Sequence, residues 1–200
     1  MSARLNRRQL LRRGTVGGGV VLSGSVFGAL AGRADAATPS DNDLAYLRLL
    51  LAGELLEADF QVKALATRKL TSRARSTFRK MAADEKAHYT QLAQLVTTAG
   101  QTPATAGDID FSYPRGSFAS QSAILRMGAE IEKLVLGSYL GAVENVESAE
   151  LRLPMGRISA NEAQHVGSLA ALRGGSVIGR AFAASLQIDA ASAALDRFES

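Results

Sequence analysis

The sequence predicts an all-α fold: a four-helix bundle with one long crossover between its second and third helices, and a short helical tail at the C-terminus. Three observations carry this. Apolar residues recur in steps of three and four through four stretches after residue 40. Residues 100–117 break that pattern with Pro103, Gly107, Pro114 and Gly116, midway between the stretches. The chain has two histidines, and each follows a glutamate by three positions, as Glu85–His88 and Glu162–His165, in the second and fourth stretches.

The first 36 residues read as a separate unit. Asn6-Arg7-Arg8-Gln9-Leu10-Leu11-Arg12 is a twin-arginine signal, an uncharged Gly/Val/Leu/Ala run follows to Gly32, and Ala34-Asp35-Ala36 offers an A-x-A cleavage pattern. Cleavage after Ala36 and export by the twin-arginine route are expected. The glycines early in the run argue against a permanent membrane anchor, so no stable membrane insertion is expected after cleavage. Of 23 basic and 19 acidic residues, six arginines and Asp35 lie in this segment, leaving 17 and 18, a net charge of −1. The basic character therefore belongs to the leader, and the remainder carries no patch that suggests nucleic acid. The chain has no cysteine. That excludes a disulfide framework, a thiolate metal site and a rubredoxin-type electron donor.

A first helix is expected over about 43–69, with Leu44, Leu47, Leu51, Ala58 and Leu65 on its apolar stripe and Asp41 or Asn42 as cap. A short break at 70–72 leads to a second helix over 73–98, closed by Gly100. Its seam runs Phe78, Met81, Glu85, His88, Leu92, Leu95. The crossover at 100–117 is long for a loop, and its natural task is to run the length of the bundle and join two parallel helices. A third helix over 118–143 is apolar nearly all round, which predicts burial. Ser148 is expected to cap a fourth, over 149–172, which ends at Gly174-Gly175. Its seam is Leu151, Met155, Ile158, Glu162, His165, Leu169, Leu172, and Pro154 is expected to kink it. Residues 176–200 read as a tail with a short helix from Asp189, placed to cover one end of the bundle.

Glutamate and histidine at i and i+3 share one helix face, so each turn offers an oxygen and a nitrogen ligand. Both pairs sit on seams among leucine and methionine. Buried carboxylates must be neutralised by protons, basic partners or a cation. The seams supply few basic residues, with Arg68 and Arg126 near helix ends at best. Two divalent cations would balance four carboxylates, and mixed carboxylate–imidazole ligation suits iron or manganese, with zinc also able to occupy such a site. On the first helix Glu54 continues the Leu47–Leu51 seam and is preferred to Glu57, which reads as a supporting or surface residue. On the third, Glu132 lies on the Leu125–Gly128–Val135–Tyr139 line and is preferred to Glu130. Glu54 precedes Glu85 by 31 residues and Glu132 precedes Glu162 by 30, a weak internal repeat of two αα-hairpins. Glu144, Glu147 and Glu150 read as a solvated acidic turn. Tyr89 and Tyr139 read first as packing residues, though either could donate a hydrogen bond or an electron near a metal.

The chain resembles the exported bacterial ferritin-like domain family that includes desiccation-related proteins, over most of residues 40–200. The residues that carry the likeness are Gly53-Glu54-Leu55-Leu56-Glu57-Ala58-Asp59-Phe60, Asp84-Glu85-Lys86-Ala87-His88, Glu132 with Tyr139-Leu140-Gly141-Ala142, Glu162-Ala163-Gln164-His165, and a closing Ala193-Ala194-Leu195-Asp196-Arg197-Phe198. The broader resemblance to bacterioferritin and rubrerythrin implies metal ligands at Glu54, Glu85, His88, Glu132, Glu162 and His165, with Glu85 and Glu162 as bridging carboxylates. The spacing of 30–31 is slightly shorter than in those relatives, and the cysteine-rich module of rubrerythrins is absent.

Two functions follow from this reading. One is a di-metal protein, with two iron ions or two manganese ions, that oxidises Fe(II) or consumes O₂ or peroxide in stress defence. The other is a non-catalytic envelope stress or binding protein whose metal is structural. Bundles pair through spare apolar faces, so a homodimer is a natural assembly.

Overall fold

The computed structural model describes residues 39–199. The leader and the expected cut after Ala36 lie outside the described residues. Five helices follow in order: α1 (Asp41–Ala66), α2 (Ser72–Thr98), α3 (Gln121–Asn145), α4 (Ala149–Leu172) and α5 (Ile188–Asp196). Among the described residues the only β-type pairing is an isolated bridge between Phe111 and Glu199. No described helix is long and apolar enough to cross a membrane.

The helix starts are set by side-chain oxygens. Ser40, rather than Asp41 or Asn42, caps α1 by accepting from the Asp43 N–H at 3.2 Å. That frees Asp43, which is 1% exposed, to accept from the Glu147 and Ser148 N–H groups at 2.7 and 3.0 Å. One buried carboxylate thus ties the start of α1 to the α3–α4 turn. Thr71 caps α2, and Gly100 follows α2 with φ of 72°, a left-handed conformation suited to glycine. Helix α3 begins three residues later than expected, because Ser120 supplies the cap. Phe118 instead joins Phe60 and Tyr113 in an aromatic cluster, with ring centroids 5.3 Å apart in both contacts. Ser148 flanks α4, but its hydroxyl donates to Glu150 rather than capping a backbone N–H, and the helix is continuous through Pro154.

α1 packs closely on α2, and α3 on α4, giving two αα-hairpins; α1 and α3 join them, and α2 meets α4 more sparsely. The core runs through Leu47, Leu50, Leu56, Phe78, Leu92, Ile124, Val135, Met155 and Leu169. The apolar stripe predicted on α1 is too narrow: Tyr46, Leu49, Leu50, Ala52, Leu55 and Leu56 are buried as well, while Ala58 and Leu65 are only partly so. The reason is a second layer over α1. The crossover lies on it, with the Tyr113 hydroxyl donating to Asp59 at 2.7 Å, and α5 packs against both α1 and α3.

The tail therefore runs along the α1–α3 side of the bundle and does not close an end. The Leu186 N–H donates to the Gly137 carbonyl at 2.9 Å, and the Ser112 N–H donates to the Phe198 carbonyl at 2.7 Å. The absence of a side chain at Gly137 and Gly141 lets this segment lie against α3, since a Cβ on Gly141 would sit 1.9 Å from the Leu186 carbonyl oxygen. Tyr89 is likewise structural: its hydroxyl holds the crossover by donating to the Ala104 carbonyl at 2.9 Å.

Candidate metal centre

The six residues singled out above meet in the middle of the bundle, one glutamate each from α1 and α3 and a Glu-x-x-His turn each from α2 and α4. Glu54, Glu85 and Glu162 have no exposed surface; Glu132, His165 and His88 are 2%, 4% and 8% exposed. Seam periodicity places them there. Each lies on an apolar line whose neighbours form the core, so folding that buries the leucines carries the acids inward too.

The oxygens divide between two groups. The Nδ1 atom of His88 lies 2.9 Å from Glu162 Oε1, 3.1 Å from Glu85 Oε2 and 3.5 Å from Glu54 Oε2. The Nδ1 atom of His165 lies 3.2 Å from Glu85 Oε1, 3.3 Å from Glu132 Oε2 and 3.4 Å from Glu162 Oε2. Glu85 and Glu162 thus each turn one oxygen toward each histidine, whereas Glu54 and Glu132 each serve one. Within each group of four residues the ligand atoms lie within 4.8 Å of one another. The two imidazole centroids are 6.2 Å apart.

This donor set fits two cations. Buried polar atoms normally have hydrogen-bond partners. Here Glu54 Oε2, Glu132 Oε2, both oxygens of Glu162 and Nδ1 of His165 lack hydrogen-bond geometry to any partner. They converge at ion-pair distance without satisfying one another, which is the arrangement a metal ion completes. Neither arginine considered from the sequence helps: Arg68 and Arg126 are exposed, and Arg126 donates to Ser122.

Metal-free electrostatics follow from the same geometry. Burial alone would lower the His88 pKa, but Glu162, Glu54 and Glu85 together raise it to about 12. His165 is likewise held protonated against burial by Glu132, Glu162 and Glu85. Burial pushes Glu54 up to about 8, despite the opposing His88. Burial would also raise Glu162, yet the two histidines bring it down to about 2. Burial drives Glu132 well above the ordinary carboxylate range. Protons and a metal would therefore compete for the same atoms.

Supporting groups also appear, of which the sequence reading missed Gln61 and Asp84 and placed packing first for Tyr139. Gln61, 1% exposed, donates through Nε2 to Glu85 Oε1 at 2.8 Å and reaches Glu132 Oε1 at 3.5 Å. Asp84 Oδ2 lies 3.3 Å from Nε2 of His165, an arrangement that leaves Nδ1 for a metal. Tyr139, fully buried, donates its hydroxyl to Glu54 Oε1, so it is more than a packing residue. Gln61 follows Glu54 by seven residues just as Tyr139 follows Glu132, so the repeat carried a signal for both. Glu57 is 1% exposed, which removes a surface role for it. Glu130 is exposed and pairs with Arg197 at 3.3 Å, away from the centre. Glu144, Glu147 and Glu150 are exposed, as the acidic turn requires. A surface groove of about 570 Å³ between α2 and α4 is lined by Arg73, Thr77, Gln164 and neighbours, and none of the six site residues lines it.

Comparison with known proteins agrees with this fold. Residues 42–175, more than half of the chain, match the Ferritin-like domain family. The chain belongs to the ferritin-like domain family. The crystal structure of a ferritin-like, diiron-carboxylate protein from Bacillus anthracis str. Ames superposes on 65% of this chain and 94% of its own, with a TM-score of 0.56 and 22% sequence identity. That likeness concerns the fold. No curated protein sequence matches the chain. The ferritin-like bundle found here, with its buried carboxylate and histidine cluster, is suited to a di-metal site.

Proposed function

We propose that this ferritin-like protein holds two iron or two manganese ions and oxidises Fe(II) with O₂ or peroxide, or consumes peroxide, as an exported protein of stress defence. The observation that carries the reading is the division of the Glu85 and Glu162 oxygens between two histidine-centred groups. A single-metal site needs no such sharing. Bound metals would supply one-electron redox steps and a place for an oxygen species to bind. With peroxide as oxidant, the two electrons from two Fe(II) substrate ions and two protons would balance conversion of one peroxide to two waters. The twin-arginine leader supports export, and the diiron-carboxylate character of the Bacillus anthracis protein supports iron.

The chain's own residues have distinct tasks in this reading. Glu85 and Glu162 would be shared between the two ions, and Glu54 and Glu132 would each help to hold one. His88 and His165 would each give up the Nδ1 proton to solvent in exchange for a metal. Asp84 orients the His165 ring through its other nitrogen, while Gln61 and Tyr139 hold one oxygen each of Glu132 and Glu54 so that the second faces inward. The closed core around them excludes bulk water, which keeps carboxylate–cation attraction strong.

Fe(II) oxidation and peroxide decay, followed in the wild type and in folded Glu85→Ala and His165→Ala variants, test the activity. Loss of turnover in both variants is expected. Equal rates in all three would end the catalytic reading. The lack of any cysteine, and so of a built-in thiolate electron donor, favours a second reading in which the metal only stabilises the bundle. It predicts a metal-dependent gain in melting temperature with no sustained turnover when a simple reductant is supplied.

A further inference from the structure

The internal repeat pairs the six candidate ligands and two of their supporting residues, and leaves Glu57 without a polar counterpart. Glu54 pairs with Glu132, Glu85 with Glu162, His88 with His165 and Gln61 with Tyr139, each at an offset of 77 or 78. The residue 78 positions after Glu57 is Val135, an apolar core residue that is 1% exposed. Glu57 is equally buried, and neither of its oxygens has a hydrogen-bond partner. The charges it feels are those of Glu162, Glu132, Glu85 and Glu54. Packing alone would be served by an aliphatic side chain, as it is at Val135. Four carboxylates already balance two divalent cations, so this fifth acid introduces an asymmetry.

We propose that Glu57 is a further metal ligand given to one of the two positions only, so that the two ions are bound unequally. The inference rests on the dinuclear reading above. In the metal-free arrangement Glu57 lies outside both four-residue groups, so binding requires its side chain to change rotamer as the ion arrives. The ion it serves gains an additional negative ligand that Val135 cannot offer the other.

Calorimetric titration of the purified protein with Mn(II) tests this without any turnover. Wild type is expected to take two ions with resolvably different affinities. Glu57→Gln, which keeps the shape and removes the charge, should still take two, with one weakened by about tenfold or more. Glu57→Asp, which keeps the charge, should fall between the two, and exposed Glu130→Gln should match wild type. Thermal unfolding of the metal-free variants checks that each is folded. Affinities in Glu57→Gln equal to those of wild type would overturn the proposal and leave the dinuclear reading standing. Two equal affinities in the wild type would do the same. Failure of the wild type to bind two ions would remove both.

Discussion

Replacing Gly141 by alanine sets two effects of opposite sign against each other, and the structure decides between them. Alanine in a helix interior is favoured over glycine by about 1 kcal/mol. At Gly156 in α4, where a Cβ would meet nothing within 4 Å, that gain should be realised in full. At Gly141 the new Cβ would lie 1.9 Å from the Leu186 carbonyl oxygen, a neighbour that is backbone and cannot swing aside. Relief to an ordinary contact requires the tail to retreat by roughly 1 Å or more. The neighbouring Leu186 N–H bond to Gly137, now 2.9 Å, would then exceed hydrogen-bond range. Losing that bond costs about 1 kcal/mol. Overpacking and loss of Leu186 burial add about 1–2 kcal/mol. The net for Gly141→Ala is a destabilisation of about 1–2 kcal/mol, or roughly 3–6 °C in Tm for a domain of this size. Gly156→Ala should instead raise Tm by about 2–4 °C. Circular dichroism melts of both variants measure the contrast, and hydrogen exchange at the Leu186 amide should quicken in Gly141→Ala alone. If Gly141→Ala melts at or above the wild-type temperature, the tail does not lie against α3 as described.

Three other outcomes follow from the centre. Tyr139→Phe removes the donor to buried Glu54, and the metal-free protein should lose about 1–3 kcal/mol, read by chemical denaturation; an unchanged midpoint would mean the bond contributes nothing. Asp84→Asn should weaken metal binding by roughly 10–100-fold through the His165 ring, measured by chelator competition, and unchanged competition would show that Asp84 does not orient that ligand. The metal-free protein should lose stability as pH rises from about 4.5 through about 8, because Glu54, with its pKa raised to about 8, binds a proton in the folded state that it has given up in the unfolded one. Glu132 acts in the same direction, and the depressed Glu162 matters only in acid. Metal affinity should move oppositely, strengthening with pH as His88 and His165 give up their protons more readily. Melts from pH 5 to 8, with and without Mn(II), would show the two curves diverging; parallel curves would contradict the assignment.

Much of this was legible in the sequence because a seam of period three to four fixes what faces the core. Glu85, His88, Glu162 and His165 occupy seam positions, and the offset of 77–78 separated Glu132 from Glu130. The crossover announced itself through proline and glycine. What period alone could not give was the second layer. Tyr46 and Leu49 lie off the predicted stripe and are buried because α5 and the crossover cover that side of α1. Glu57 looked peripheral for the same reason: a residue at the shoulder of a stripe is exposed in a bare bundle and buried in one with an added layer. Gln61 escaped notice although the repeat marks it, seven residues after Glu54 as Tyr139 follows Glu132, and Asp84 because it lies beside the apolar seam rather than on it.

Metal content per chain, measured beside a Glu85→Ala/Glu162→Ala double variant, tests the central claim most directly. The geometry predicts close to two iron or manganese ions per chain in the wild type and loss of both in the variant, because those two carboxylates are shared between the groups. A folded wild-type protein that carries no metal and takes up neither Fe(II) nor Mn(II) would contradict it, and the buried glutamates and histidines would then be a retained polar network of the core.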